Sequence, residues 1–430
     1  MNPLYNLGIS LYSLAVRLVS GRNPKARKML SGQAETIGRL KASLATATPQ
    51  ADGQGPVWIH VASLGEFEQG RPLIERLRAE QPDRRIVLSF FSPSGYEVRK
   101  DYPLVDCVVY MPFDKPARVR EFLDTLRPSM AIFIKYEFWG NYLHELRRRD
   151  IPVYLVSAIF RPSQSFFQWW GGLFRDMLGC YTHLYVQDDN SRRLLATIGV
   201  TNVTVTGDTR LDRVHDIMSK SEPIPALEQW KARDDSPVLI AGSSWAADED
   251  IYMPWLSAHP EVRSIVAPHE FDDARIDALI ARLGPGAMPL SEIEAAYGRD
   301  GAVPDGVRHI VVDCFGRLAT IYRYGTIAHV GGAFGTGLHN INEAAVWGLP
   351  VTFGPNHHKF KEATDLMECH GAFEINDYSQ FDSIVTNLLT KPAALAEAGE
   401  AARRYIGRNR GATRRVFDDI FEARRRDTRR

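Results

Sequence analysis

The feature that most constrains the fold is an alternation of short apolar runs with helix-like segments, which starts at Pro56 and restarts at Pro237. The first stretch contains the apolar runs "VWIHVAS", "RIVLSFFS", "DCVVYMP", "MAIFIKYE" and "IPVYLVSAI". The second contains "PVLIAGSS", "RSIVAPHE", "HIVVDC" and "TIAHVGG". Strands that alternate with helices are typical of βαβ units and parallel sheets. The sequence therefore predicts an α/β fold in which the pattern occurs twice.

The segment between the two stretches is polar, contains prolines and shows no strand pattern. A chain of 430 residues exceeds one ordinary core, since domains average about 150 residues. We expect two Rossmann-like domains whose parallel sheets face a central cleft, because ligands of open α/β sheets bind beyond the carboxyl ends of the strands. The predicted parts are an N-terminal helix with a basic flank (1–45), a first Rossmann-like domain (46–215), a linker (216–236), a second Rossmann-like domain (237–400) and a basic C-terminal helix (401–430).

The N-terminal stretch "PLYNLGISLYSLAVRLV" is apolar but interrupted by polar residues, and it is shorter than the roughly 20 apolar residues of a spanning helix. It lacks the basic start and cleavage site of a secretory signal. Seven Lys/Arg and one acid follow between Arg17 and Lys41. We expect a helix at the membrane surface, or a short anchor, with its basic end in the cytoplasm; the alternative is a helix packed on the protein itself. One side of this helix would carry Leu4, Leu7, Leu11, Leu14 and Leu18.

Charge and cysteine content narrow the class of protein. The formal net charge is zero, which argues against a general nucleic-acid-binding protein. The C-terminal run from Arg403 to Arg430 contains eleven arginines and suggests contact with an anionic surface such as anionic lipid, or else a solvated helix face and tail. The four cysteines lie far apart, so no disulfide framework is expected. The acidic run Asp248–Asp250 superficially resembles a metal-binding motif, but its helical pattern favours a solvated face and no metal site.

Glu66 is the first candidate for chemistry. It lies at the turn between the run "VWIHVAS" and the following helix, where the helix start offers free backbone N–H groups. A carboxylate that faces the cleft can act as a general base on a hydroxyl. The alternative is a capping box formed by Ser63 and Glu66, and these residues alone favour the cap.

Two further loops of the first half follow strands. Ser94 and Gly95, in "SPSGYE", could hold a sugar or phosphate or form a simple turn. Lys135 and Glu137 end a strand beside Trp139. Polar groups next to an aromatic face suit carbohydrate, whereas the alternative is an ion pair beside a core tryptophan.

In the second half, Ser243 and Ser244 end the run "PVLIAGSS". We expect them to begin a helix and to donate hydrogen bonds to a phosphate. Arg210 could add charge and bidentate hydrogen bonds. His269, which follows another strand, could reach a carboxylate or phosphate, although a surface histidine is the commoner case.

The stretch "VGGAFGTGLHNINEAAVWGLP" from Val330 to Pro350 carries the strongest signal. Its glycines, Gly332 among them, allow close approach of the backbone to a ligand. Asn340 and Glu343 lie one helical turn apart and share a face. A carboxylate repels phosphate, so Glu343 suits the hydroxyls of a ribose while the glycines and helix start suit the phosphate. No dinucleotide fingerprint follows the first strand and no Walker A motif exists, which leaves a nucleotide-sugar site.

These residues resemble a known family. The stretches "HVASLGEFEQGRPLIE", "VVYMPFDKPARVREFLDTLRP", "FIKYEFWGNYLHEL", "VTGDTRLD", "LIAGSSWAADEDI" and "VGGAFGTGLHNINEAAVWGLPVTFGPNHHKFKEA" occur in the order seen in the 3-deoxy-D-manno-octulosonic acid (Kdo) transferases of lipid A biosynthesis. The resemblance covers nearly the whole chain, including the N-terminal helix.

The resemblance implies a GT-B fold and inverting transfer of Kdo from CMP-Kdo to the tetraacyldisaccharide lipid A precursor (lipid IV-A), without a metal or other cofactor. It implies acceptor binding by residues 46–215, CMP-Kdo binding by 237–400, and a location at the cytoplasmic face of the inner membrane. Glu66 matches the proposed general base of the family's S-x-G-E-x motif. The nucleotide side would use Ser243, Ser244, Arg210, Gly332, Asn340 and Glu343.

The chain departs from the family pattern in several motifs. Lys135 stands where the family usually has a glutamate, and Ala267-Pro268-His269 stands where it commonly has P-R-H. His269 is therefore the candidate to replace the missing arginine. The M-G-E loop reads Phe315-Gly316-Arg317, which places Phe315 and Gly316 among the candidate site residues. Two alternatives remain: another GT-B sugar-nucleotide enzyme, either a different glycosyltransferase or an epimerase, and a non-catalytic nucleotide-sugar binding protein.

Overall fold

The computed structural model describes residues 3–46, 55–335 and 337–422. The chain forms two compact units: the first contains the described residues up to Asp212 and those from Arg410 onward, and the second runs from Arg213 to Asn409. Each unit contains one seven-stranded sheet in which all paired strands are parallel. The predicted α/β fold with two Rossmann-like sheets is confirmed.

The sheet of the first unit has the strand order β3-β2-β1-β4-β5-β6-β7. The order reverses between β1 and β4, and in doubly wound sheets this switch point is where ligands bind, beyond the carboxyl ends of the strands. The strands are β1 (Val57–Val61), β2 (Ile86–Phe90), β3 (Cys107–Tyr110), β4 (Met130–Ile134), β5 (Val153–Ala158), β6 (His183–Val186) and β7 (Val203–Val205).

The sheet of the second unit has the order β10-β11-β9-β8-β12-β13-β14. Here the switch point lies between β8 and β12, so the turns after these two strands are the expected ligand-binding positions. The strands are β8 (Val238–Ser244), β9 (Arg263–Pro268), β10 (Ala287–Pro289), β11 (His309–Val311), β12 (Ile327–Val330), β13 (Val351–Phe353) and β14 (Ala372–Glu374).

The helices connect consecutive strands and cover both faces of each sheet, so the strands read as continuous apolar runs. Along β1, for example, Trp58 belongs to one buried cluster, while Val57 and Ile59 belong to another. The helices up to the end of the first unit are α1 (Pro3–Val19), α2 (Pro24–Thr46), α3 (Leu64–Glu80), α4 (Pro93–Arg99), α5 (Pro116–Leu126), α6 (Gly140–Arg148), α7 (Gly172–Leu178), α8 (Asp189–Ala196) and α9 (Thr209–Lys220), which continues into the second unit.

The remaining helices belong to the second unit except for the last, which returns to the first. Short 3-10 segments occur at Ser165–Phe167 and Tyr322–Tyr324, and a π-helical turn occurs at Asp418–Glu422. The helices are α10 (Pro225–Lys231), α11 (Ala246–Ala258), α12 (Asp273–Leu283), α13 (Leu290–Asp300), α14 (Leu318–Ile321), α15 (Asn342–Ala345), α16 (Lys361–Glu368), α17 (Tyr378–Thr390), α18 (Pro392–Arg408) and α19 (Ala412–Phe417).

The boundaries of the units differ from the predicted ones. The predicted linker 216–236 contains α10, which packs into the second unit because Leu227 and Trp230 are fully buried. The predicted C-terminal segment 401–430 is divided: α18 ends in the second unit, and α19 packs on the first. Residues 423–430 of this segment lie outside the described residues.

The N-terminal segment forms two helices, α1 and α2. The five leucines that the pattern places on one side of α1 are all exposed. The opposite side packs on the first unit, where the Tyr5 hydroxyl donates to Asp114 Oδ2 at 2.5 Å and the Asn141 side chain donates to Asn6 at 2.8 Å. Among the described residues, no helix is both long enough and apolar enough to cross a membrane.

Candidate functional site

Glu66 lies in the first turn of α3, directly after β1. The Ser63 hydroxyl donates a hydrogen bond to the Glu66 carboxylate, and Ser63 makes no side-chain cap to the backbone of α3. The capping box that was the favoured interpretation of these residues is therefore not formed. The Glu66 side chain remains 18% exposed at the carboxyl edge of the first sheet.

Lys135 meets Glu66 across the switch point of the first sheet. It follows β4, and its Nζ lies 3.8 Å from Glu66 Oε1. Its φ of 74° is left-handed, a conformation that costs a non-glycine residue roughly 1–2 kcal/mol. Its backbone N–H donates to Val156 O at 2.9 Å, which helps to hold this turn. Backbone strain of this kind concentrates at functional sites.

Glu137 is buried and does not face this edge. Its side chain accepts from Trp139 Nε1 at 2.6 Å and lies 3.0 Å from His60 Nε2. The other ring nitrogen of His60 is 2.8 Å from Ser89 Oγ, and Glu137 is only 3% exposed. The structure thus contradicts the interpretation of Glu137 as an open carbohydrate-binding carboxylate, because buried neighbours bind its Oε2. The alternative, an ion pair of Lys135 with Glu137, is not formed either, since Lys135 pairs with Glu66.

Ser94 and Gly95 lie at the start of α4, after β2. Ser94 is exposed and its backbone N–H donates to Ser92 Oγ at 3.3 Å. A Cβ on Gly95 would lie 2.4 Å from the Phe90 ring and 2.9 Å from the Leu64 nitrogen. Only glycine therefore lets this turn approach the start of α3, next to the turn that carries Glu66.

Arg210 lies in the first unit, and not in the unit that was expected to bind the nucleotide. Its guanidinium donates to Asp208 Oδ2 through Nη2 at 2.6 Å and Nε at 2.9 Å. Burial alone would raise the pKa of Asp208, but the charge and hydrogen bonds of Arg210 outweigh burial and hold it below its usual value. Arg210 stabilises this buried carboxylate, and its assignment to the nucleotide side stays a prediction.

Ser243 and Ser244 are the last residues of β8, and α11 begins only at Ala246. The expectation that they begin a helix is wrong, since Ser244 is still paired with Pro268 of β9. Ser244 Oγ lies 2.7 Å from Tyr252 OH in a buried pair, so its hydroxyl does not reach the sheet edge. Ser243 is partly exposed at that edge with a left-handed φ of 51°.

Asp248 connects the two turns at the switch point of the second sheet. Its Oδ2 accepts from the backbone N–H groups of Trp245 at 2.9 Å and Gly332 at 3.0 Å, and its Oδ1 lies 3.3 Å from His329 Nε2. Asp248 is fully buried, which corrects the expectation of a solvated acidic face. Burial raises the pKa of Asp248, but His329 and the two backbone donors outweigh burial and lower it. This residue was missed because its neighbours in sequence suggested a surface helix.

The glycine-rich loop after β12 is tightly packed. Gly332 has a φ of 95°, and a Cβ there would lie 2.4 Å from Gly337 O. A Cβ on Gly331 would lie 2.4 Å from Ser243 O. Gly337 N donates to Gly332 O at 3.0 Å. The loop therefore packs closely against the end of β8, and the predicted approach of its backbone to a ligand stays a prediction.

Trp245, His269 and His339 form an aromatic stack at the same edge. Trp245 Nε1 donates to His339 Nε2 at 3.0 Å, and the two rings are inclined by only 11°. His269 stacks on both, with ring centroids at 4.8 Å from Trp245 and 4.1 Å from His339. Burial and the neighbouring His269 lower the pKa of His339 to about 4, which agrees with its role as a neutral acceptor. Of these three residues, only His269 was predicted from the sequence to be a site residue.

Asn340 and Glu343 are brought together as expected. Asn340 Nδ2 donates to Glu343 Oε1 at 3.0 Å, although α15 begins only at Asn342 and has four residues. Burial raises the pKa of Glu343, while the Asn340 hydrogen bond and the charge of Arg213 act in the opposite direction. The neighbouring Asn342 is buried and its amide atoms have no partner among the described residues.

Phe315 and Gly316 lie in the loop after β11, at the same edge of the second sheet. The Phe315 side chain is 77% exposed and stacks on Phe271 with a centroid separation of 4.6 Å. Gly316 has a left-handed φ of 81° with open space around it. Arg317 donates to Glu294 at 3.0 Å and thereby fixes the end of the loop.

The sequence matches known Kdo transferases. Residues 32–213 match the family model described as 3-deoxy-D-manno-octulosonic-acid transferase (kdotransferase). The 3-deoxy-D-manno-octulosonic acid transferase of Bordetella pertussis is 26% identical over 96% of this chain and 99% of its own length. The enzyme of the same name from Aquifex aeolicus is 28% identical over 78% of this chain and 87% of its own.

Two solved structures have a fold similar to that of this chain. A putative UDP-N-acetylglucosamine 2-epimerase from Listeria monocytogenes superposes with a TM-score of 0.59 at 13% identity, covering 85% of this chain and 96% of its own. MurG of Acinetobacter baumannii gives a TM-score of 0.53 at 14% identity, covering 86% and 99%. At such identities these likenesses show the GT-B fold alone. Together with the sequence matches across most of the chain, they confirm the resemblance of this chain to the 3-deoxy-D-manno-octulosonic acid (Kdo) transferases.

Proposed function

We propose that the protein transfers Kdo from CMP-Kdo to the tetraacyldisaccharide lipid A precursor, with inversion and without a resident metal. In this reaction an acceptor hydroxyl attacks the anomeric carbon of Kdo. The bond between that carbon and the phosphate oxygen breaks, and CMP leaves. Glu66 takes the proton of the attacking hydroxyl.

The environment of Glu66 is the observation that carries the proposal. A carboxylate used only as a helix cap would accept from the backbone of α3, whereas Glu66 is held by the Ser63 hydroxyl and faces Lys135. Two oxygen atoms at a solvent-accessible switch point suit a base that must reach a substrate hydroxyl. The absence of the capping box also argues against a protein that only binds a nucleotide-sugar.

The carboxyl edge of the second sheet supplies the groups proposed for CMP-Kdo. The start of α11 provides backbone N–H groups for a phosphate, and Ser243 adds a hydroxyl at the edge. His269 is our candidate for the arginine that the family carries nearby, because its ring lies at this edge, stacked on Trp245, and an imidazole N–H can donate a hydrogen bond to a phosphate. Asn340 and Glu343 would bind ribose hydroxyls.

The exposed face of α1 supports a location at the cytoplasmic face of the inner membrane. Its leucines are exposed while the opposite face packs on the first unit, and basic residues from Arg17 onward follow directly. Apolar side chains next to basic ones suit an anionic lipid surface. An enzyme held there would meet a phosphorylated lipid acceptor.

The proposal is tested by product analysis with CMP-Kdo and the lipid A precursor in detergent, followed by mass spectrometry and CMP release. Glu66→Gln should lower turnover by roughly 10²–10⁴-fold with little change in melting temperature. Glu68→Gln is the matched control: it lies on the same helix, pairs with Arg99 at 3.2 Å, and should leave turnover nearly unchanged.

Three results would contradict parts of this proposal. No CMP release by folded wild-type protein would exclude the transfer. A melting temperature raised by a UDP-sugar rather than by CMP-Kdo would favour another sugar-nucleotide enzyme. Unchanged turnover with a lower melting temperature in Glu66→Gln would make Glu66 a structural residue.

A further inference from the structure

Two adjacent tryptophans of the first unit point into solvent. Trp169 is 91% exposed and Trp170 is 51% exposed. They lie in the loop that joins β5 to α7, which places them at the carboxyl edge of the sheet. Large aromatic side chains are seldom left this exposed without a binding partner.

The loop that carries these tryptophans is packed and held on its inner side. Phe166 is buried and packs edge-to-face on Phe138 with a centroid separation of 4.6 Å. Arg175 Nη1 donates to Phe166 O at 3.0 Å and to Gln168 O at 2.9 Å. A Cβ on Gly171 would lie 2.0 Å from Ser165 O. The loop is therefore a well-packed, hydrogen-bonded turn, and both indole rings lie on its outer side.

Ring contacts connect this loop with α1. From α1, Tyr12 stacks on Phe91 with centroids 6.4 Å apart, and Phe91 packs on Trp139 at 4.6 Å. The residue before Trp139 is Phe138, which contacts Phe166 of the loop. From there the contacts pass through Phe174 to Trp170, at 5.9 and 6.2 Å. Tyr12 of α1 and Trp170 of the loop are thus the two ends of one series of packed aromatic residues.

We infer that Trp169 and Trp170 insert into the headgroup region of an anionic bilayer and form a second membrane contact beside α1. This inference rests on the membrane location proposed above. Indole rings favour the interface between water and lipid. The leucines of α1 and the tryptophans of the loop are two separate apolar surfaces on one unit, and such a pair suits an extended flat partner. The basic residues that follow α1 favour an anionic lipid surface over a second copy of this chain. Two contacts would orient the edge that carries Glu66 toward the lipid.

The test uses the full-length protein and vesicles of phosphatidylcholine with phosphatidylglycerol, some of them brominated on the acyl chains, without any lipid A precursor. Brominated lipid should quench the tryptophan fluorescence of the wild type. Trp169→Ala/Trp170→Ala should lose most of this quenching and lower vesicle partitioning by about tenfold, since interfacial binding scales with buried apolar area. Trp169→Ala alone should give an intermediate effect if the double variant does not fold.

Two controls separate this contact from that of α1. Tyr378→Ala removes an exposed aromatic of the second unit and should change neither quenching nor partitioning. Leu7→Ser/Leu11→Ser/Leu14→Ser weakens the α1 contact and should lower partitioning while the bound fraction still shows tryptophan quenching.

The outcomes distinguish the two proposals. Wild-type protein that binds vesicles without quenching overturns the tryptophan contact and leaves the membrane location in place. Wild-type protein that does not bind vesicles overturns both. Quenching that appears only when the lipid A precursor is added would assign the tryptophans to the acceptor, and a dimer lost in Trp169→Ala would assign them to a second copy; either result overturns the bilayer contact.

Discussion

At the scale of single residues, Glu66 and Glu137 show that a sequence motif does not determine whether a side chain is exposed. Both glutamates follow a strand of the first sheet, and the sequence treats them as similar candidates. Glu137 is buried because His60, which lies 77 residues earlier, reaches its carboxylate. Glu66 keeps a partly exposed side chain because its partners, Ser63 and Lys135, lie at the sheet edge. Partners that are distant in sequence decide exposure, and one sequence does not contain that information.

Asp248 gives the sharpest prediction at this scale. Asp248→Asn removes the negative charge that the two backbone N–H groups face and puts an amide nitrogen, which cannot accept, in place of the oxygen next to His329. We expect the free energy of unfolding to fall by about 1–3 kcal/mol. We also expect KM for the donor to rise more than kcat falls, because Asp248 positions the loop at Gly332. Steady-state kinetics with CMP-Kdo and thermal unfolding measure these two effects.

The control for this prediction lies two residues along the same helix. Asp250 is exposed and forms an ion pair with Arg282 at 2.8 Å, and exposed pairs of this kind contribute at most about 1 kcal/mol. Asp250→Asn should therefore change neither KM nor stability appreciably. Equal effects of both substitutions would show that Asp248 does not position the loop.

At the scale of elements, the strands were predicted well, but the start of the helix after β8 was not. Apolar runs bounded by turn residues mark the buried strands of a parallel sheet. Serines favour helix starts by local propensity, but pairing with β9 keeps Ser244 in β8. In the glycine-rich loop, Gly332 and Gly337 are needed for their backbone conformations, and the approach of this loop to a ligand stays a prediction. What the loop approaches could not be predicted, since the end of β8 lies far away in sequence.

The glycine-rich loop gives a second prediction. Gly332→Ala places a Cβ 2.4 Å from Gly337 O on a residue with φ of 95°, and the left-handed backbone alone costs about 1–2 kcal/mol. We expect the loop to shift, CMP-Kdo binding to weaken by at least tenfold, and the melting temperature to fall. Isothermal titration with CMP and thermal unfolding provide the measurements. Gly335→Ala, where the nearest atom would be 4.0 Å from the new Cβ, should bind CMP like the wild type.

At the scale of the whole molecule, the alternation of strands and helices predicted both sheets, but not the return of the chain to the first unit. The segment after Arg410 reads as a basic surface run, because arginines dominate its composition. Its few apolar residues pack against α3 and the first sheet. Backbone N–H of Thr413 donates to Asp212 Oδ2 at 2.7 Å, and Tyr185 OH donates to Asp419 Oδ2 at 2.7 Å. Charged residues alternate with the four buried ones, so the sequence pattern does not show that this segment packs on the first unit.

Truncation of the chain tests whether the C-terminal segment is needed for the stability of the first unit. Ending the chain at Asn409 removes from the first unit the buried side chains of Val416, Phe417, Ile420 and Phe421. At about 1.5–3 kcal/mol for each buried side chain, the upper estimate of the loss is about 6–12 kcal/mol, comparable to the whole stability of a domain. We expect calorimetry to show no cooperative unfolding of the first unit while the second unit still unfolds. Ending the chain at Glu422 keeps these four residues and removes only 423–430, so its unfolding should match that of the full chain. A first unit that unfolds normally without residues 410–430 would show that this segment is peripheral to its core.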